Sequence, residues 1–151
     1  MTTKSRSYWE RLLGKTHSPI EAIFLDSFCP LAIEHGYEVQ RKIRSREGII
    51  GISVQAPIGP YFADFLISYP FFGRSLCIAV ECDGHDYHER TRRQAAYDRS
   101  RDRYMQGTGL EVYRFTGSEI VAAPHICAWE VLDAIMRFQT AEIIAAAGRP
   151  E

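Results

Sequence analysis

Residues 76–80, Leu-Cys-Ile-Ala-Val, are an apolar run with no helical period. A run that short, bounded by polar residues, reads as a strand buried on both faces. It ends abruptly in Glu81-Cys82-Asp83-Gly84-His85-Asp86-Tyr87-His88. Glu81 and Asp83 are two residues apart, so in a strand both carboxylates point to the same face. Like charges at the end of a buried strand repel and cost desolvation, unless a cation sits between them or one of them holds a proton. Gly84 permits a sharp turn and leaves room for a ligand to approach the backbone. A solvated strand end with an Asp-Gly turn would use the same residues, so the rest of the chain has to decide between the two.

The chain of 151 residues is long enough for one domain with a proper core, and 46% apolar with 25% charged residues is ordinary for a globular protein. No apolar stretch approaches membrane-spanning length, and residues 1–7 are polar, without the apolar core of a signal peptide. Cytoplasmic residence is the resulting expectation. The four cysteines show no CxxC spacing and read as buried thiols. A net charge of -1 argues against coating nucleic acid by bulk charge, but leaves room for a local basic patch.

Residues 1–7 read as a flexible tail and residues 8–13 as a short helix ending at Gly14. Ser18-Pro19-Ile20-Glu21 is a helix start, with Ser18 as N-cap, Pro19 in the first turn and Glu21 closing a capping box. The stripe Ile20, Ile23, Phe24, Phe28 predicts a helix that stops before Pro30. Strands are predicted over 37–43, 49–55, 61–67 and 76–82, with a turn at Pro57-Ile58-Gly59-Pro60 and a loop over 70–75; their short connections imply antiparallel pairing. Residues 89–105 predict a charged helix with Tyr97 and Tyr104 on a narrow inner face, 110–115 a final strand, and 125–147 a long helix with Ile126, Trp129, Leu132, Ile135 and Met136 as its core stripe. This order implies an α/β sandwich with a mixed sheet, the strand after the charged helix lying parallel to an earlier one.

Asp64 is the one charge inside the apolar stretch 61–67. Such a carboxylate needs water, an arginine, or a metal shared with Glu81 of a neighbouring strand, and strands about 4.8 Å apart allow that sharing. Oxygen-only ligation favours Mg²⁺ or Mn²⁺. Asp64, Glu81-Cys82-Asp83-Gly84 with His85 and His88, Asp98-Arg99-Ser100-Arg101-Asp102, Gly109 and Val112-Tyr113-Arg114-Phe115-Thr116 together resemble the restriction-endonuclease-like PD-(D/E)XK superfamily. More narrowly, they resemble its branch related to very-short-patch-repair endonucleases. The resemblance covers roughly residues 18–119, the core of a single domain, and implies a restriction-endonuclease-like α/β sandwich with about four to five strands flanked by helices.

The resemblance implies that Asp64 is the metal-binding strand aspartate and Glu81 the first acid of the (D/E)XK half-motif. It also implies that Glu21 is the helix glutamate that completes the metal shell, although the capping box alone accounts for that residue. Asp83 stands where the common motif has lysine. The very-short-patch-repair branch also lacks the lysine and uses histidine, which makes His85 and His88 the acid/base candidates. Asp83 then ligates a second metal or orients a histidine; an acid in the lysine's place is equally compatible with lost catalysis. A zinc site of Cys82, His85 and His88 would have three ligands at unusual spacing.

Arg90, Arg93 and Arg101 belong to an arginine-rich helix that is either a solvated face paired with Glu89, Asp98 and Asp102 or a phosphate-contact surface. Gln94 lies one turn into that helix, facing the site. Arg41 and Lys42 begin a second basic stretch fit to track a DNA groove, and Arg114 either approaches the scissile phosphate or bridges to Asp98. The expectation from the sequence is a Mg²⁺- or Mn²⁺-dependent endonuclease acting on DNA. Its rival is a catalytically inactive module of the same fold that binds DNA or protein.

Overall fold

The computed structural model describes residues 6–42, 46–84 and 91–150. Five strands form one sheet in the order β1-β2-β3-β4-β5. β2 (Ile49–Ile58), β3 (Tyr61–Phe71) and β4 (Arg74–Asp83) are successive antiparallel hairpins. β5 (Glu111–Thr116) lies parallel to β4 and is reached through α3 (Arg92–Gly107). α1 (Tyr8–Leu13), α2 (Pro19–Glu34) and α5 (Pro124–Ala147) supply the helices of one face, and the short α4 (Gly117–Ala122) follows β5. The chain is therefore an open mixed sheet flanked by helices, the restriction-endonuclease-like arrangement.

Two cores follow from the alternation along β4. Ile78 and Val80 pack with Phe24, Phe28, Ile52, Phe65, Val131 and Leu132 under α2 and α5. Ala79, on the other face, joins Ala63 and Met105 under α3. β4 is thus buried on both sides, and the next residue on the Ala79 face is Glu81. Cys29, Cys82 and Cys127 are buried, Cys77 is partly exposed, and all are free thiols. No described helix is long and apolar enough to cross a membrane.

Several local expectations are corrected. β1 (Glu38–Arg41) pairs with β2 in parallel, not antiparallel. β1 has only four residues, so the connection over 42–48 has to climb back only about 13 Å, well within its reach. α2 runs on through Pro30. A proline inside a helix costs about 3 kcal/mol or more, and burial of Phe28, Cys29 and Ala32 around it offsets the cost. β3 and β4 continue to a two-residue turn at Phe72-Gly73, both at positive φ, where a longer loop was expected. Tyr97 and Tyr104 are exposed, and Met105 is the buried residue of α3. On α5, Ile126 and Trp129 are exposed, while Cys127, Ala128 and Val131 join Leu132 and Ile135 in the core. α4 was not anticipated; Thr116 and Glu119 give it a capping box.

Candidate active site

The β3–β4 register places Phe65 opposite Val80, which sets Asp64 opposite Glu81 on the next rung. The charge of Asp64 bears directly on Glu81. Asp64 is anchored independently: its Oδ2 accepts the Cys82 N–H at 2.8 Å and its Oδ1 accepts Gln55 Nε2 at 3.3 Å. Gln55 Nε2 also donates to Glu21 Oε1 at 2.6 Å, so one amide ties together an acid from α2 and an acid from β3. Gln55 sits in the left-handed region at φ 50, a conformation that costs a residue with a Cβ roughly 1–2 kcal/mol. Held there by the ladder pairs Val54–Phe65 and Ala56–Ala63 on either side, its side chain links Glu21 and Asp64. A backbone outlier of this kind is a common companion of a functional site.

Glu21 does not close a capping box. Ser18 Oγ accepts the Glu21 N–H at 3.4 Å and donates to Glu21 Oε2 at 2.6 Å, while Glu21 Oε1 accepts the His17 N–H at 3.4 Å. The carboxyl is thus oriented by the cap yet bonded to the Asp64 network. Burial raises its pKa, the Ser18 hydroxyl opposes that shift, and the charge of Asp64 adds to it.

Glu81 is 4% exposed. Burial, then the charge of Asp64, pushes its carboxyl up to about 8, against the opposing pull of Arg101 and Arg114. Arg101 Nη1 stands 3.8 Å from Glu81 Oε2, too far for a hydrogen bond, and its Nη2 is 3.5 Å from Asp98. Among the described residues, Glu81 Oε1 and Arg101 Nε are both buried without a hydrogen-bond partner. An unsatisfied buried oxygen beside a second carboxylate is costly in isolation. The residues Asp64, Glu81, Asp83, Gln94, Asp98 and Arg101 line a cavity of about 260 Å³.

The other expected residues distribute as follows. Gln94 lines the cavity, but its side-chain oxygen also accepts the Thr91 N–H at the start of α3. Arg114 takes the bridging role, with Nη2 2.7 Å from Asp102 and Nη1 3.9 Å from Asp98. Arg93 is exposed. Arg41 and Lys42 lie at the end of the edge strand β1, separated from Asp64 by β2. His85, His88, Glu89 and Arg90 lie outside the described residues. Sequence reasoning missed Gln55. Its signal was the turn at Gly59-Pro60: counting outward from that two-residue turn sets Gln55 opposite Asp64.

Among the described residues, no group of three or more His, Cys, Asp and Glu side chains is placed to hold a metal ion. Two carboxylates do meet, and that is a usual protein contribution to Mg²⁺, which keeps waters and takes substrate phosphate oxygens as its remaining ligands. The unpartnered Glu81 Oε1 and the all-oxygen character of Asp64 and Glu81 fit a hard divalent cation. A sequence model of the family REase_MTES_1575 matches residues 33–135. That span includes Gln55, Asp64, Glu81, Asp83 and Arg101 but leaves out Glu21. Comparison with curated proteins and with solved structures gave no match.

Proposed function

The chain belongs to the restriction-endonuclease-like family REase_MTES_1575, and from that premise we propose that it is a metal-dependent endonuclease hydrolysing phosphodiester bonds in DNA. The observation that carries this reading is Glu81: buried beside Asp64, with one oxygen unpartnered among the described residues and the Arg101 guanidinium 3.8 Å from the other. A purely structural ion pair would be expected to satisfy that oxygen.

In this reading Asp64 and Glu81 hold Mg²⁺ or Mn²⁺. Bound there, the ion would polarise the phosphoryl oxygen and lower the pKa of an attacking water. Gln55 fixes the rotamer of Asp64 and keeps Glu21 in reach of the site. Arg101 lines the cavity between Glu81 and Asp98, where its guanidinium would meet the scissile phosphate. His85 or His88 moves the proton that lysine handles in the common motif. Kinship with the very-short-patch-repair branch rests on that histidine substitution and is part of the same proposal.

Asp83 in the lysine's place favours a second reading, an inactive module that keeps the fold to bind DNA or protein. Plasmid and oligonucleotide substrates, incubated with Mg²⁺ or Mn²⁺ and with chelator, separate the two. Metal-dependent cleavage abolished by Asp64→Asn supports the enzyme. No cleavage of any substrate, together with no Mn²⁺ binding by calorimetry, leaves the module.

A further inference from the structure

Helix α3 carries a second surface that the carboxylate site does not use. Arg93, Tyr97, Ser100 and Tyr104 follow one another at spacings of four, three and four residues, which puts them on one face of the helix. The tip of the β2–β3 hairpin reaches this face. The ring of Tyr61 lies 5.5 Å from the ring of Tyr97 and 5.5 Å from that of Tyr104, and its hydroxyl is 3.0 Å from Ser100 Oγ. Gly59, at the turn, is required for the approach: a Cβ there would collide with the Tyr104 side chain. The hairpin is thus built to hold Tyr61 between two tyrosines of α3.

This packing leaves much of the aromatic surface in water. Tyr97 is 54% exposed and Tyr104 41%, and Phe62, next along the hairpin, is 61% exposed. Tyr61 already packs against the small cluster of Ala63, Ala79 and Met105, and Tyr97 and Tyr104 stand outside it in water. The rings also stand close to the acids. Tyr61 and Asp64 are three residues apart on β3, about 10 Å of strand, which is roughly three nucleotide steps of stacked DNA. Arg93 lies one turn before Tyr97, and Arg101 one turn after it on the side facing the cavity. Aromatic rings interleaved with guanidinium groups, continuous with an acidic cavity, match a strand whose bases have free faces and whose phosphates run alongside. A duplex keeps its base faces stacked inside and offers only edges and phosphates.

We propose that Tyr97 and Tyr104, held apart by Tyr61, form a stacking platform for unpaired nucleobases, and that the site therefore acts on single-stranded or locally unpaired DNA. This rests on the nuclease reading above and specifies its substrate.

The test is fluorescence anisotropy with the full chain in chelator, using a short labelled oligothymidine, an abasic oligonucleotide of the same length and charge, and a duplex. The wild type binds oligothymidine more tightly than the abasic strand by a factor of at least roughly 5–150, the range for one stacked base, and more tightly than the duplex. Tyr97→Ala loses most of that preference, whereas Tyr97→Phe keeps it, and the thermal melt confirms that each variant is folded. Equal affinity of wild type for the oligothymidine and the abasic strand overturns the platform whatever the variants do. Preference for the duplex, or no binding of oligothymidine, also overturns it. Cleavage in Mg²⁺ is scored separately: a preference for oligothymidine without cleavage leaves the platform and removes the nuclease, and cleavage without the preference does the reverse.

Discussion

The raised pKa of Glu81 ties stability to pH in a way that one substitution isolates. Its carboxyl is pushed from 4.5 to about 8, by burial first and Asp64 second. A carboxyl raised in this direction stabilises the native state fully below 4.5 and loses that contribution as pH climbs through about 8. Between those values the native protein holds a proton that the unfolded chain has released, so stability falls by about 1.4 kcal/mol per pH unit from this group. From pH 5 to pH 8 the loss amounts to roughly 4 kcal/mol as an upper bound. Glu81→Gln keeps the shape and removes the titration. Relative to wild type, the variant should be nearly neutral at pH 5 and increasingly more stable towards pH 8, by up to about 8–16 degrees in Tm for a chain of this size. The assay is a set of thermal and urea melts of both proteins in chelator across that range, in which all other titrations cancel in the difference. Mn²⁺ should displace the proton and restore the wild type at pH 8 while leaving the variant unmoved. Parallel pH profiles for the two proteins would refute the buried, proton-holding Glu81.

Asp64→Asn and Glu81→Gln should each remove most single-turnover cleavage of labelled DNA, and the double variant should lose little more, because the two carboxylates act as one unit; His88→Ala should instead preserve Mn²⁺ affinity while slowing the chemical step by about a hundredfold or more. Gln55→Gly keeps the left-handed backbone available and deletes the side chain that carries the amide, so Mn²⁺ affinity should fall by roughly 10- to 100-fold with the fold intact; unchanged calorimetric affinity would make Gln55 a bystander. Arg93→Ala should lower the log–log salt slope of oligonucleotide binding by about one, and an unaltered slope would assign Arg93 to solvent.

The carboxylate pair was legible in the sequence because its signal is local. Two acids, each interrupting an apolar strand, have few environments open to them, and β3 and β4 bring Asp64 and Glu81 to one rung. The parallel strand after α3 was legible too, since a strand-helix-strand order leaves little choice. The features that escaped depend on tertiary compensation. Proline at position 30 is a helix terminator by its own chemistry, and only the buried surroundings of α2 overrule it. Trp129 looked like core by spacing, but it lies 5.0 Å from His35 at the end of α2, at the margin of the helix pair. Gln55 was legible only in its place opposite Asp64, counted from the turn, and not in its conformation. Its importance comes from a backbone angle, and no property of an isolated glutamine announces a positive φ.

The unequal burial of the thiols has a practical consequence. Cys29, Cys82 and Cys127 all have their pKa values raised by burial, which suppresses the thiolate that reacts with alkylating reagents. Cys77 is the partly exposed one, four residues before Glu81 on β4, about 13 Å along the strand. A maleimide dye or spin label should therefore attach there first in the unmodified protein. Such a reporter would sit on the strand that carries Glu81, at a spacing suited to a distance measurement against added Mn²⁺.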